Sequence, residues 1–200
     1  MEVLEVLRTD RLVLRRFSIE DAEFIYELVN DPDWLRYIGD RGVRTIDDAR
    51  SYLLHGPIAM YAQHGFGLYC VELRESRVPI GMCGLLKRDT LEDVDLGFAF
   101  LPHFRSRGYA YEAAAATLAY GRQTLGLACI VAIVSPENHV SMQLLRKLGL
   151  EFERRVQLAP EAPEVCLFGP VPLEPSPSGS NLTPSARRCA ARRRGPDACS

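Results

Sequence analysis

Apolar and polar positions alternate along the chain in two periods. Residues 11–17, Arg-Leu-Val-Leu-Arg-Arg-Phe, read as a strand. Ser18 and Asp21 then stand three apart, a variant of the capping box that opens a helix. Ala22, Ile25, Tyr26 and Val29 give that helix its apolar stripe, and Asn30-Asp31-Pro32 should stop it. A second cap, Thr45 with Asp48, opens a helix that turns Ile46, Ala49 and Leu53 inward and fades near Gly65. Strand patterns follow at 66–73, 78–87 and 93–101, separated by Glu75-Ser76-Arg77 and Asp89-Thr90. In the third, Val94, Leu96, Phe98 and Phe100 take one face, and Asp95, Gly97 and Ala99 the other. That second face is small and carries one acid.

Pro102 ends the strand. A short polar loop, Arg105-Ser106-Arg107-Gly108, leads into an alanine-rich helix over about 109–124. Ile130-Val131-Ala132-Ile133-Val134 is continuously apolar and β-branched, the pattern of a strand covered on both faces. Strand, loop, helix and buried strand make a βαβ unit, so its two strands should be parallel with a right-handed crossover. A shorter helix over about 139–148 ends at Gly149, and two more strands are expected at 151–158 and 164–169. The expected class is α/β (α+β), with one domain over residues 1–173. From Glu174 onward proline, serine and then arginine dominate without periodicity, and 174–200 is expected to be a disordered tail.

Composition narrows the field. Hydrophobic residues make up 47% of the 200 and charged residues 25%, the balance of a globular chain. No apolar run approaches the ~20 residues that span a bilayer, and the acidic start, Met1-Glu2-Val3-Leu4-Glu5, lacks a basic-then-apolar leader pattern. The six cysteines are scattered, with no C-x-x-C pair, and the four histidines show no ligand spacing, so no metal site is expected. These readings point to a reduced, cytoplasmic protein. Five arginines against Asp197 make residues 175–200 +4, which leaves −6 of the overall −2 for the rest. An acidic body suits a cationic partner such as an amine. Membranes and nucleic acid are not expected partners, although the arginine tail keeps a nucleic-acid reading testable. Monomer and homodimer both remain open.

The segment Arg105-Ser106-Arg107-Gly108-Tyr109-Ala110 lies where a strand ends and a helix begins. The first amides of a helix have no internal partner, and the helix dipole adds positive charge there, so phosphate oxygens suit the spot. Gly108 lets the backbone come close, Ala110 keeps the first turn slim, and Arg105 and Arg107 add charge. The spacing is neither a Walker A motif nor G-x-G-x-x-G, which argues against ATP, GTP and NAD.

The R-x-x-G-x-A pattern of Arg105 to Ala110 resembles the pyrophosphate-binding motif of the GNAT superfamily of N-acetyltransferases. Asp95-Leu96-Gly97-Phe98 resembles the E-[IL]-G-[YF] strand of the ribosomal-protein N-acetyltransferase-like (RimJ/RimL-type) branch. Asn138-His139-Val140-Ser141, Leu145-Arg146-Lys147-Leu148-Gly149 and the opening Thr9-Asp10-Arg11-Leu12-Val13-Leu14-Arg15 are similar to other elements of that branch. The likeness runs in order over about residues 8–169. It implies a splayed, mixed seven-stranded sheet flanked by helices, with acetyl-CoA as co-substrate in the gap between the 93–101 and 129–134 strands. The pantetheine arm would meet backbone near Phe98, Ala99 and Phe100. The pyrophosphate would sit on Arg105, Ser106, Arg107, Gly108, Tyr109 and Ala110.

Acetyl transfer to an amine needs a base to remove a proton and a donor for the leaving thiolate. Asp95 stands where the family carries an acid and is the first candidate base, with Glu92 and Asp93 as alternatives. An aspartate has a shorter reach than the family's glutamate, which invites a bridging water. Ser141 resembles the serine near the coenzyme A sulfur and falls on the inward side of its helix. Asn138 can contact the cofactor, cap the helix, or both. Trp34 and Tyr37 lie on a segment resembling the family's substrate-side loop and can equally be packing aromatics. The function implied is N-acetylation of a primary amine, a protein N-terminus or a small molecule. The alternative is a non-catalytic acyl-CoA-binding protein of the same fold.

Overall fold

The computed structural model describes residues 4–171. The expected tail lies outside the described residues. The opening strand signal becomes a hairpin, β1 (Glu5–Arg8) and β2 (Leu12–Arg15), with Leu7 opposite Leu14. Ser18 and Asp21 form the expected capping box around a short 3-10 turn that runs into α1 (Ala22–Val29). The chain does not stay irregular after Asn30. Asp31 accepts from the amides of Asp33 (3.1 Å) and Trp34 (3.3 Å) and starts α2 (Pro32–Tyr37), with Pro32 in the first turn. The proline read as a stop is a start.

Thr45 and Asp48 bond each other's backbone amides, at 3.1 and 2.8 Å, and open α3 (Ile46–Leu53). A π turn over Leu54–Ile58 carries it into α4 (Ala59–His64), which ends on left-handed Gly65. Then come β3 (Leu68–Leu73), β4 (Pro79–Leu86), β5 (Val94–Phe100), α5 (Tyr109–Gln123), β6 (Ile130–Val134), α6 (His139–Lys147), β7 (Leu150–Gln157) and β8 (Glu164–Pro170).

The sheet has eight strands in the order β1-β2-β3-β4-β5-β6-β8-β7, not seven. The addition is β1, four residues at an edge with its two end residues exposed, too short for a period-two signal. β5 and β6 are parallel, as the βαβ pattern requires, and all other neighbours are antiparallel.

Each face of the sheet carries its own core. On one, Val94, Leu96 and Phe100 of β5 pack with Ala113, Ala114 and Leu118 of α5 and Leu145 of α6. Alanines and Gly121 let α5 lie close, since a Cβ on Gly121 would come within 2.6 Å of Ile130. On the other, Ile25, Leu28, Trp34, Ala49 and Leu53 cover Leu68, Cys70 and Met82. Under that layer Arg15 makes a bidentate bond with Asp21 (2.6 and 2.8 Å) and reaches Glu72 with Nε (2.5 Å), all three buried. This triad ties β2, β3 and the entry of α1 together.

Candidate active site

The site begins with a strand that loses its neighbour. β5 pairs with β4 from Asp95, opposite Leu86, to Phe100, opposite Gly81. With β6 it pairs only at Val94 opposite Ile130 and Asp95 opposite Val131. Beyond Asp95 the two parallel strands part. Within a strand, one residue's N–H and C=O point to the same side and neighbours alternate. The amide of Leu101 bonds Ile80 O across to β4 at 3.0 Å. The backbone groups of Leu96, Phe98 and Phe100 therefore point to the β6 side; the Leu96 amide belongs to the last pairing with Val131 and Phe100 O accepts from Arg105, which leaves Phe98 and the Phe100 amide facing the slot. The backbone groups of Ala99 and Gly97 face β4, so these two contribute the smallness of their side chains rather than backbone bonds.

At the far end of β5 a 3-10 turn, Pro102–Phe104, leads into the segment 105–110. Ser106 and Gly108 adopt left-handed backbone angles, φ 59° and 81°, and Gly108 is the N-cap of α5. Arg105 donates its amide to Pro102 O. Among the described residues, the amides of Ser106, Arg107, Gly108, Tyr109 and Ala110 have no acceptor, as the start of a helix requires. The segment is braced from both sides. Arg105 donates Nε to Phe100 O (2.8 Å) and pairs with Asp33 (2.5 Å) and with the buried Asp31. Arg11 donates to Arg107 O (3.1 Å), pairs with Glu112 (2.6 Å) and lies over the Tyr109 ring at 4.6 Å. Thr9 also donates to Glu112, at 2.6 Å. Burial alone would raise the Glu112 carboxyl, but these donors hold it below the usual range.

Arg105, expected at a phosphate, thus has its guanidinium engaged with two carboxylates and a carbonyl. Arg107 is exposed and keeps its charge at the turn. Asp33 and Glu112 carry no motif signal, and the signals at Arg11 and Asp31 say nothing of this role, because each acts through a partner roughly 70 to 100 positions away.

Asp95 lies on the sheet face away from α5, only 1% exposed, with Arg88 Nε 2.9 Å from its carboxylate. Sequence reading gave it small neighbours alone, but Arg88 arrives from the β4–β5 connection. Burial raises the Asp95 carboxyl above its ordinary value, and Arg88 offsets part of that rise. Tyr52 is largely buried with Arg41 and Arg88 in its surroundings, and burial raises its hydroxyl.

On the β6 side of the slot, Asn138 caps α6 by accepting from the Ser141 amide at 3.0 Å. Its side-chain NH2 and the Ser141 hydroxyl have no partner among the described residues. Both residues are half-buried. The β5–α5 and β6–α6 loops lie at the carboxyl ends of parallel strands, the usual ligand position in open α/β sheets. α2 touches both loops. Asp31 and Asp33 hold Arg105, and Arg36 pairs with Glu137 at 2.9 Å. Trp34 is a core residue, its indole donating to Gly39 O at 3.1 Å. Among the described residues no cluster of His, Cys, Asp and Glu is arranged to hold a metal, and no helix is long and apolar enough to cross a membrane.

A strand parted from its parallel neighbour, with open amides at the next helix start, describes a class of transferase folds, and family comparison agrees. The acetyltransferase (GNAT) domain model matches residues 11–151, and the chain belongs to that family, an acyltransferase. Among its relatives, the uncharacterized N-acetyltransferase YnaD of Bacillus subtilis (strain 168) is 31% identical over 147 residues, covering 74% of this chain and 83% of that protein. The crystal structure of an acetyltransferase (GNAT family) from Bacillus anthracis superposes with a TM-score of 0.68 at 28% identity, covering 82% of this chain and 96% of that one. A ribosomal-protein alpha-N-acetyltransferase, RimL, solved in complex with coenzyme A, shares the fold with a TM-score of 0.69 at 15% identity, covering 85% and 98%.

Proposed function

We propose that the protein transfers an acetyl group from acetyl-CoA to a primary amine by direct attack in a ternary complex. One observation carries this reading. β5 leaves the backbone of Phe98 and the amide of Phe100 open toward the slot where β6 has parted from it, and the slot leads to a turn whose amides lack acceptors. A pantetheine arm carries amides that suit the first feature, and a diphosphate suits the second. That a protein of this fold has been solved with coenzyme A supports the same ligand.

In this reading Phe98 offers its backbone groups and Phe100 its amide to the arm, and Gly97 and Ala99 leave it room. The amides from Ser106 to Ala110 hold the diphosphate, and Arg107 adds its charge. Arg105 keeps the turn in shape. The free NH2 of Asn138 contacts the cofactor, and the Ser141 hydroxyl donates to the departing sulfur. The amine nitrogen attacks the thioester carbonyl and the new C–N bond forms. The C–S bond breaks, the amine proton passes to a base, and the thiolate takes a proton to leave as coenzyme A. Asp95 is the base, reached through water because its carboxylate is buried; Glu92 and Asp93 stand beside it as alternatives. The acceptor is an N-terminal amine of a protein or a small-molecule amine.

Titration calorimetry with acetyl-CoA, followed by an assay of free thiol across a panel of amines, tests the reading. Binding and amine-dependent thiol release are expected. No heat with acetyl-CoA would end it, and binding without turnover on any amine would leave a carrier in place of an enzyme.

A further inference from the structure

Beside the slot, on the Asp95 face of the sheet, is a cavity of about 370 Å³, near the lower end of ligand-sized pockets. It is lined by the β4–β5 connection, by β6 and β8, and by β7. Val131 lies in its floor and is the strand partner of Asp95 at the last paired position before β5 and β6 part. The cavity therefore abuts the point where the slot opens. Its floor is apolar, with Leu167 and Val156 beside Val131. Its two ends differ in charge, with Glu92 and Asp93 on the β5 side and Arg154 on the β7 side.

Arg154 reaches this cavity because of a backbone irregularity. The register of β7 against β8 slips between Phe152 and Arg154, so that Phe152 faces Phe168 while Arg154 faces Leu167. The extra residue is a β-bulge, which re-aims the side chains that follow it. Without it Glu153 would stand opposite Leu167. The two neighbouring arginines also differ in company. Arg155, on the opposite face, pairs with Glu164 at 3.4 Å, whereas Arg154 has no carboxylate partner among the described residues.

We infer that this cavity is the acceptor pocket and that it takes a small amino carboxylate with an apolar body, its amine toward Asp93 and Val131 and its carboxylate on Arg154. The inference rests on the acetyl transfer proposed above and adds the class of acceptor. A polyamine would bring positive charge against Arg154 and lay charged groups over an apolar floor. A peptide N-terminus has an amide where Arg154 calls for an anion.

The test uses L-leucine, L-leucinamide, 3-methylbutylamine and spermidine as acceptors at saturating acetyl-CoA. Calorimetry with L-leucine in the absence of acetyl-CoA accompanies it. L-leucine should exceed L-leucinamide in kcat/KM by about tenfold or more, about 1.4 kcal/mol. Arg154→Gln should erase that difference and the heat of L-leucine binding, with the KM for acetyl-CoA unmoved. Arg154 is exposed, and the substitution breaks no hydrogen bond among the described residues. Arg155→Gln is the control and should retain the preference. A preference for spermidine or L-leucinamide, or Arg154→Gln with the L-leucine advantage intact, overturns the inference. Binding of L-leucine that depends on Arg154, without turnover of any amine, would uphold the pocket and sink the transferase reading alone.

Discussion

Arg105 is the residue whose replacement best separates bracing from ligand contact. In Arg105→Gln the carbonyl of Phe100 and the carboxylates of Asp31 and Asp33 lose their donor together. The Asp31 side chain is 5% exposed and that of Asp33 54%, so the first pair dominates. A hydrogen bond from a charged group to a buried acceptor contributes about 1.5–3 kcal/mol, and an exposed pair about 0–1. With the carbonyl bond included, the loss should be about 3 kcal/mol. At roughly 2–4 °C per kcal/mol for a domain of this size, Tm should fall by about 6–12 °C. Thermal unfolding by circular dichroism without ligand reads this directly. Asp31→Asn should show a similar fall, and the double variant should lose less than the two single losses together, with a coupling of about 1 kcal/mol or more. Arg107→Gln provides the contrast. Its guanidinium is exposed, so Tm should hold while acetyl-CoA affinity drops and becomes less salt-sensitive. A Tm within about 2 °C of wild type for Arg105→Gln, about 0.5–1 kcal/mol, would refute the brace.

The buried triad and the Asp95 pair give two further expectations. Arg15→Ala leaves Asp21 and Glu72 buried without their shared cation; breaking such a cluster should cost about 3–5 kcal/mol in urea unfolding, and a loss under about 1 kcal/mol would contradict the burial argument. The Asp95 carboxyl is raised above 3.8 by burial, so its basic form prevails only at higher pH, and the acidic limb of kcat/KM should lie above the usual aspartate range. Removing a nearby cation disfavours the carboxylate, so Arg88→Gln should move that limb to still higher pH; an unmoved limb would take Asp95 out of the base role. The same sign holds for stability. The contribution of the protonated form is complete below 3.8 and lost as pH rises through the folded value, a slope that Asp95→Asn should remove.

Local chemistry was legible and distant chemistry was not. Ser18 with Asp21 and Thr45 with Asp48 announce their helices because each cap closes within three residues. The β5 alternation predicts two faces, and two separate cores cover them. The parallel pairing of β5 with β6 follows from the apolar run at 130–134 and the helix between. Pro32 misled because Asp31 turns a break into a cap. The second role of Arg105 could not be read, since its partners Asp31 and Asp33 lie in a helix whose packing no local pattern reveals. Arg88 above Asp95 and the bulge that puts Arg154 on the cavity face were hidden for the same reason: each depends on strand register, a property of pairs of segments.

The parting of β5 from β6 puts an edge in the middle of a sheet. Outer edges are commonly guarded by charge, proline or brevity, yet Leu96-Gly97-Phe98-Ala99-Phe100 has none of these. Its protection is the wedge itself, which shuts at Asp95 and Val131 and so stops a strand running alongside at that point. A thin chain bearing its own amides meets no such bar. The shape that keeps strangers from zipping onto the strand is thereby a filter for whatever is slim enough to stand in for one.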